Sequence, residues 1–222
     1  FSIQNKLMDE LNNYWNIRPF KIEPTLLKCL DGFPAYGLKP GSDIKSPYRL
    51  FMPEKLYSEF SITATVRPAN KDGGFLFSVV NPLETVVQLG VQLIPSGPGL
   101  MNISLLYTDA NIYALSQTIA SFVVPSFAKK WSRFALKVTN ENVTLFLNCH
   151  DFDTVNVKRN PNELVFDSAS TLYVGQAGPR IKGAFHVSKR CFSSLFNIKS
   201  TLLKSSKIDI LDKLHSQNFC LK

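Results

Sequence analysis

The stretch Trp131–Cys149, WSRFALKVTNENVTLFLNC, decides the fold. Apolar residues occupy every second position in two runs, first Phe134, Leu136 and Val138 and then Val143, Leu145, Leu147 and Cys149. Such alternation is typical of β-strands that bury one face. The four polar residues 139–142 between the runs suit a tight turn, because asparagine tolerates a left-handed backbone. The stretch therefore predicts an antiparallel hairpin whose second strand ends at a cysteine.

The same alternation continues outward from this hairpin and predicts roughly ten short strands separated by turns. The clearest are residues 60–66, 74–80, 85–94, 102–107, 118–124 and 172–176. Gly90 interrupts one of these runs, which indicates a bulge or bend there. Helical spacing occurs only near the ends, at residues 1–15 and 200–217. We therefore expect a single all-β domain over residues 1–222, two packed antiparallel sheets with short terminal helices, in which residues 1–28 form an N-terminal helix and extension.

Length and composition agree with one sizeable domain. The chain has 222 residues, of which 45% are hydrophobic, so it can bury a substantial core. No apolar run approaches the length of a transmembrane helix. The sequence begins at Phe1 without a methionine, which indicates a processed or excised segment.

The chain is basic, with a formal net charge of +8 and a pI of about 9.3. Its cations are scattered, but pairs recur at Lys129–Lys130, Lys158–Arg159 and Lys189–Arg190, and Arg180 lies close to Lys182. A solvated surface and a polyanion-binding face both account for such pairs. No helix-turn-helix, RNA-binding or zinc-finger pattern favours nucleic acid, so we expect no nucleic-acid partner.

The cysteines and sequons indicate an oxidising, extracellular compartment. The four cysteines Cys29, Cys149, Cys191 and Cys220 are widely spaced and form no CxxC motif, which favours two disulfides. Glycosylation sequons occur at Asn102 and at Asn142, and the second lies in the hairpin turn, where a glycan would be exposed.

Catalytic patterns are missing from the sequence. There are only three histidines, His150, His186 and His215, no serine stands in a GxSxG motif, and the glutamates form no cluster with aspartates. A metal site at Cys149, His150 and Asp151 is disfavoured, because neighbouring residues on a strand point to opposite faces. We therefore predict a binding module without cofactor, metal or catalytic residues.

The order of the strand motifs resembles that of laminin G-like domains of the thrombospondin N-terminal subtype, above all those at the N-termini of type XV and type XVIII collagens. The residues that carry the resemblance are FSITATVRP (60–68), GFLFSV (74–79), ISLLY (103–107), ASFVVPSF (120–127), WSRFALKV (131–138), VTLFLNCHDF (143–152) and LYVGQAG (172–178). It covers the chain from about Phe33 to Cys220. Residues 1–28 match little in the family.

The resemblance implies a fold, a disulfide pattern and a class of function. The fold would be a jelly-roll-like sandwich of two curved antiparallel sheets, with disulfides Cys149–Cys220 and Cys29–Cys191, each contributing about 2–4 kcal/mol. Where relatives often carry acidic residues beside the strand cysteine, this chain has Asn148 and His150, which weakens any cation site there. No Gly-X-Y triplets occur, so a collagen trimer is expected only if a collagenous region follows in the full-length protein.

The implied function is that of a secreted extracellular-matrix module, in basement membrane or elsewhere, that mediates adhesion. Its expected partners are heparan sulfate and related glycosaminoglycans, matrix proteins or cell-surface receptors. Arginine and lysine suit sulfate groups, and the candidate residues are Lys129, Lys130, Arg133, Arg180, Lys182, Lys189 and Arg190. The alternative is a lectin-like domain that binds sugar or lipid.

Overall fold

The fold was analysed in a computed structural model of the chain. The structure describes residues 43–181, together with residues 38 and 183 and the short strands at 27–28, 34–35 and 197–199. The terminal helices predicted at residues 1–15 and 200–217, and the N-terminal extension, lie outside the described residues.

The described residues form thirteen strands and one short 3-10 helix, Tyr48–Leu50. The strands are β1 (Leu27–Lys28), β2 (Pro34–Ala35), β3 (Ile44–Pro47), β4 (Phe60–Val66), β5 (Gly74–Val80), β6 (Val87–Pro95), β7 (Leu100–Tyr107), β8 (Thr118–Pro125), β9 (Ser132–Val138), β10 (Asn142–Leu147), β11 (His150–Asn156), β12 (Thr171–Val174) and β13 (Asn197–Lys199).

Two antiparallel sheets form the body of the domain, and β1 and β2 form a separate pair. One sheet has five strands in the order β11-β10-β9-β4-β13, and the other has six in the order β3-β12-β5-β6-β7-β8. The main core contains residues of both sheets, such as Ile62 and Phe134 from the first and Val91 and Phe122 from the second. Burying each such side chain stabilises the fold by about 1.5–3 kcal/mol. The predicted all-β fold with two antiparallel sheets is confirmed.

The middle of the six-stranded sheet is buried on both faces. Every residue of β5 is buried, and a second apolar cluster comprises Phe75, Val80, Val87, Leu106, Tyr173 and Ala177. Of the bulge or bend predicted at Gly90, a bulge is not found, because Gly90 pairs regularly with Ser78 and the register shifts occur at Phe75/Phe77 and Val79/Val80. A Cβ at Gly90 would lie 3.0 Å from the carbonyl oxygen of Phe77, so the glycine permits close approach of β5.

The hairpin predicted at residues 131–149 is confirmed as β9 and β10, which are in register from Val138↔Val143 to Phe134↔Leu147. Its turn is closed by the backbone N–H of Thr139, which donates to the carbonyl of Asn142 at 2.9 Å. The hydroxyl of Thr139 also accepts from the Asn142 N–H at 3.1 Å. Alternation therefore identified both strands and the polar residues identified the turn.

The second strand ends earlier than the alternation predicts. Asn148 and Cys149 have φ angles of 48° and 70°, and they form a two-residue turn between β10 and β11. Left-handed backbone at both central residues is the signature of a type I′ hairpin turn, whose right-handed twist suits the flanking strands. Cys149 is therefore not on a strand face, and it is disulfide-bonded.

The partner of Cys149 lies outside the described residues, so the pairing stays a prediction. Peptide mapping without reduction is expected to recover Cys149 linked to Cys220, and Cys29 linked to Cys191. A Cys149–Cys29 or Cys149–Cys191 peptide would contradict it. Cys149→Gly suits the left-handed turn whereas Cys149→Ser does not, so comparing their unfolding separates the loss of the disulfide from backbone strain.

Tyr173 predicts how stability depends on pH. Its ring is buried and its hydroxyl donates to the carboxylate of Glu84; burial first, and then Glu84, raise the pKa of Tyr173 well above its usual value. An unfolded tyrosine ionises near pH 10, so above about pH 10 the folded chain holds more protons than the unfolded chain. This contribution to stability is complete below pH 10 and is lost as the pH rises towards the folded pKa.

Tyr173→Phe is accordingly expected to lower stability by about 1 kcal/mol at pH 7, through the lost hydrogen bond, and to flatten the decline above pH 10. Urea unfolding midpoints of both proteins between pH 7 and pH 11 check this. Parallel declines with increasing pH would show that Tyr173 does not carry the alkaline sensitivity.

Candidate functional site

A turn before β9 presents two adjacent lysines to solvent. The backbone N–H of Lys130 donates to the carbonyl of Phe127 at 2.9 Å, and Phe127 is buried as the anchor of the turn. Lys129 has a φ of 63°, a left-handed conformation that is rare outside glycine and suits the third position of a type II turn. Both lysines are exposed.

Arg67, which the sequence interpretation missed, joins this turn. Its Nε donates to the carbonyl of Lys129 at 2.9 Å, and the N–H of Lys129 donates to the carbonyl of Pro68 at 2.8 Å. Strand pairing brings Arg67 and Lys129 together, because Val66 at the end of β4 pairs with Ser132 at the start of β9. The sequence did contain one indication of this site: Arg67 directly follows the well-defined alternation of residues 60–66, so a cation was to be expected at that end of the strand.

Arg133 and Lys71 lie near this turn, at the same end of the paired strands β4 and β9. Arg133 lies at the start of β9, opposite Thr65, and its backbone N–H donates to the side-chain oxygen of Asn148 at 3.1 Å. Lys71 is exposed in the turn that leads from β4 to β5. We refer to Arg67, Lys71, Lys129, Lys130 and Arg133 as the basic end of the sandwich.

The ion pairs between described residues lie elsewhere: Lys45–Asp43, Arg49–Glu54 and Lys55–Glu163. The carboxylate nearest in sequence, Asp72, accepts from the Asn70 amide. Arg67, Lys71, Lys129 and Lys130 thus form no ion pair with a described residue, so their charges are available to an anionic ligand.

The remaining predicted cations are not brought to the basic end. Arg180 is exposed in a turn closed by the bridge Ala177↔Ile181, and no described contact joins it to Lys129 or Lys130. Lys182, Lys189 and Arg190 lie outside the described residues, so their part in a binding face stays a prediction.

Arg159 belongs to the core. The pair Lys158–Arg159 was interpreted as surface charge, which is wrong for Arg159 because only 5% of it is exposed. Its guanidinium donates to the carbonyls of Asn162 at 3.0 Å and Thr139 at 2.7 Å, and to that of Ser58. The rings of Tyr107 and Phe60 lie 5.3 and 6.0 Å from it. Arg159 therefore connects three loops by hydrogen bonds, at the end of the sandwich opposite the basic end. We refer to Arg159 and its hydrogen-bond partners as the arginine cluster.

Tyr107, which lies in the six-stranded sheet, also contributes hydrogen bonds to the arginine cluster. Its hydroxyl donates to the carbonyls of Pro161 at 2.9 Å and Asn162 at 3.0 Å. Burial raises the pKa of Tyr107 above its usual value, while the positive charge of Arg159 acts in the opposite direction. The phenol is therefore protonated at neutral pH and remains a donor.

A pocket of about 530 Å³ opens beside the arginine cluster. Its lining residues are Lys55, Ser58, Asn140, Pro161, Asn162 and Glu163. Three of them, Ser58, Asn140 and Asn162, accept hydrogen bonds from Arg159. The buried arginine therefore fixes the position of the pocket wall.

The two sequons occupy different settings. Asn142 begins β10 beside the exposed turn, and its side-chain oxygen accepts from the Thr139 hydroxyl at 3.1 Å. Asn102 lies within β7, between β6 and β8, with its side-chain oxygen buried. Glycosylation at either asparagine stays a prediction, and Asn142 is the more accessible of the two by position.

Within residues 43–181 and the short described strands, no group of three or more His, Cys, Asp or Glu side chains is placed to hold a metal ion. Over the same residues, no helix is long and apolar enough to cross a membrane.

Comparisons with known proteins show similarity to two collagen chains. The sequence is 32% identical over 144 residues to the human collagen alpha-1(XVIII) chain, covering 65% of this chain and 8% of that one. It is 26% identical over 134 residues to the human collagen alpha-1(XXIV) chain, covering 60% of this chain and 7% of the relative. The matched region is thus less than a tenth of either collagen chain. No protein-family model matches the sequence.

Solved structures with a similar arrangement of strands include a pentraxin from Limulus polyphemus, with a TM-score of 0.47, 14% identity and coverage of 72% of this chain and 70% of that chain. Domains LG4-5 of the mouse laminin alpha1 chain give a TM-score of 0.43 and 12% identity, over 69% of this chain and 38% of that chain.

The two-sheet fold and the similarity to two collagen chains support the predicted resemblance to laminin G-like domains of the thrombospondin N-terminal-like class. Among particular proteins, the similarity to type XVIII collagen predicted from the strand motifs is confirmed.

Proposed function

We propose that this domain is a non-catalytic extracellular-matrix module, the N-terminal globular domain of a collagen-like protein, which binds sulfated glycosaminoglycans such as heparan sulfate through its basic end. The observation that carries the proposal is the contact between Arg67 and Lys129, which gathers cations from two distant stretches of sequence at one end of the sandwich. The similarity to collagen chains supports the matrix setting and a secreted location.

The chemistry of the basic end suits a sulfated chain. Lysine ammonium groups act as point charges, while guanidinium groups bind sulfate with two parallel hydrogen bonds. Lys129 and Lys130 project from a turn fixed by backbone hydrogen bonds, so the backbone of the turn need not be ordered on binding. Exposed charges are screened by salt over about 8 Å at physiological ionic strength, and binding should therefore weaken steeply as salt rises.

Heparin-affinity chromatography over a sodium chloride gradient tests the proposal. The wild-type domain is expected to elute above physiological salt. Lys129→Gly/Lys130→Ala is expected to elute earlier, with binding about five- to tenfold weaker at low salt, from the loss of two exposed charge contacts. Lys45→Ala/Lys158→Ala is the matched control, since it removes the same charge away from the basic end.

Replacing Lys129 by glycine rather than alanine ensures that a change in heparin binding does not result from a loss of stability. Glycine adopts the left-handed backbone of Lys129 without strain, so Lys129→Gly removes the charge without lowering the free energy of unfolding. Elution of the wild type below physiological salt, or equal shifts for the two double variants, would contradict binding at the basic end.

The same proposal includes protein partners. Matrix proteins or cell-surface receptors would bind the domain alongside glycosaminoglycan, and attachment to a collagenous region would bring three copies together in a trimer. Such clustering would raise the avidity of individually weak contacts with a repeating polysaccharide.

A further inference from the structure

The pocket beside Arg159 lies far from the basic end. Ser58 precedes β4 and Asn140 lies in the turn after β9, whereas Arg67 and Lys130 lie at the opposite ends of these paired strands. Seven residues of extended strand span about 20 Å. A ligand the size of one sugar ring in this pocket therefore cannot reach the basic end.

A positive charge that pairs with no described carboxylate lies behind the pocket wall, where Arg159 donates to three of the lining residues. Arg159 is 95% buried, since its exposed fraction is 5%, and its hydrogen-bond acceptors are all neutral oxygens. Its Nε has no hydrogen-bond partner. The other two charges at the pocket, Lys55 and Glu163, pair with each other. A buried cation without a counter-ion creates a strong positive potential nearby, which favours an anionic ligand.

The side chains of the pocket add neutral hydrogen-bonding groups. The Asn162 amide and the Ser58 hydroxyl make no side-chain hydrogen bond among the described residues, although the backbone carbonyls of both accept from Arg159. Amides and hydroxyls both donate and accept, as the hydroxyl groups of a sugar require. Pro161 supplies an apolar surface for the C–H face of a ring.

We propose that this pocket binds a carboxylate-bearing sugar unit. The carboxylate lies towards the positive charge of Arg159, and the ring hydroxyls bond to Asn140, Asn162 and Ser58. The pocket is an open depression with a volume of about 530 Å³, which leaves room for a single sugar ring. The proposal is independent of glycosaminoglycan binding at the basic end, because it uses none of those residues.

NMR titration of the 15N-labelled domain tests the proposal, with methyl β-D-glucuronide as the probe and methyl β-D-glucoside as its neutral counterpart. The glucuronide is expected to give saturable shifts at Asn140 and Asn162, and the glucoside is expected to bind about tenfold more weakly or worse, because it lacks the carboxylate. Absence of saturable shifts, or equal binding of the two sugars, would overturn the assignment.

Asn162→Ala is the informative variant, because it removes only the side chain and leaves the carbonyl that Arg159 and Tyr107 use. It is expected to weaken glucuronide binding about tenfold without changing heparin elution. Lys129→Gly is expected to do the reverse, so failure of either site is distinguishable from failure of the other. Unchanged glucuronide affinity in Asn162→Ala would place the sugar elsewhere and contradict the proposal.

Discussion

Gly73→Ala is expected to lower the free energy of unfolding by about 4 kcal/mol, an exceptional loss for one methyl group. Gly73 ends the turn between β4 and β5 with a φ of 74°. A Cβ there would overlap the carbonyl oxygen of Leu93 and lie 2.9 Å from its carbonyl carbon. Both are backbone atoms of β6, so relief requires moving β5 and β6 apart where Gly74 pairs with Leu93.

Gly99→Ala is the matched control for this substitution. Gly99 has the same φ of 74°, but no atom lies within 4 Å of its added Cβ. Only the left-handed strain remains there, which costs about 1–2 kcal/mol. Urea unfolding of both variants measures the difference, and equal destabilisation would show that the contact with Leu93 is relieved at little cost.

The strands were predictable because their information is local. In β9 and β10, the position of a residue in the alternation indicates which face of the sheet its side chain lies on. Val138, Val143 and Leu145 are indeed buried in the core between the sheets. The polar turn between them was equally readable from its asparagines. These features depend on residues within a few positions of one another, so one sequence was enough.

The end of β10 was not predictable by the same means. Leu147 and Cys149 continue the alternation, but the chain reverses at Asn148, and both turn residues adopt positive φ. The favoured residue for such a turn is glycine, which is absent here. Alternation by itself therefore extends the strand, whereas an asparagine before the cysteine was the one local sign of a turn.

The basic end was half predictable. Lys129 and Lys130 are adjacent in sequence and were found, whereas Arg67 lies sixty-two residues away and meets Lys129 only through the pairing of β4 with β9. Charge pairing also misled at Lys158–Arg159, where one residue is exposed and its neighbour is buried. Adjacent charges in sequence indicate a shared surface only when tertiary contacts leave both side chains in solvent.

Arg159→Met is expected to lower the free energy of unfolding by about 4 kcal/mol, because methionine retains the apolar bulk and removes every donor. The carbonyls of Ser58 and Thr139 would lose the guanidinium, while that of Asn162 would keep Tyr107. Each buried acceptor left without a donor costs about 1–3 kcal/mol. The cation–π contacts with Tyr107 and Phe60 would be lost as well.

Two further substitutions serve as controls for Arg159→Met. Arg159→Lys keeps the charge but cannot place donors on all three carbonyls, so an intermediate loss is expected if the planar guanidinium holds the loops together. Lys158→Ala, at the exposed neighbouring residue, should change stability by less than about 0.5 kcal/mol. Urea unfolding midpoints rank the variants. Wild-type stability in Arg159→Met would mean that the cost of burying the charge offsets its hydrogen bonds, and the arginine would then be retained for the potential it imposes on the pocket rather than for the fold.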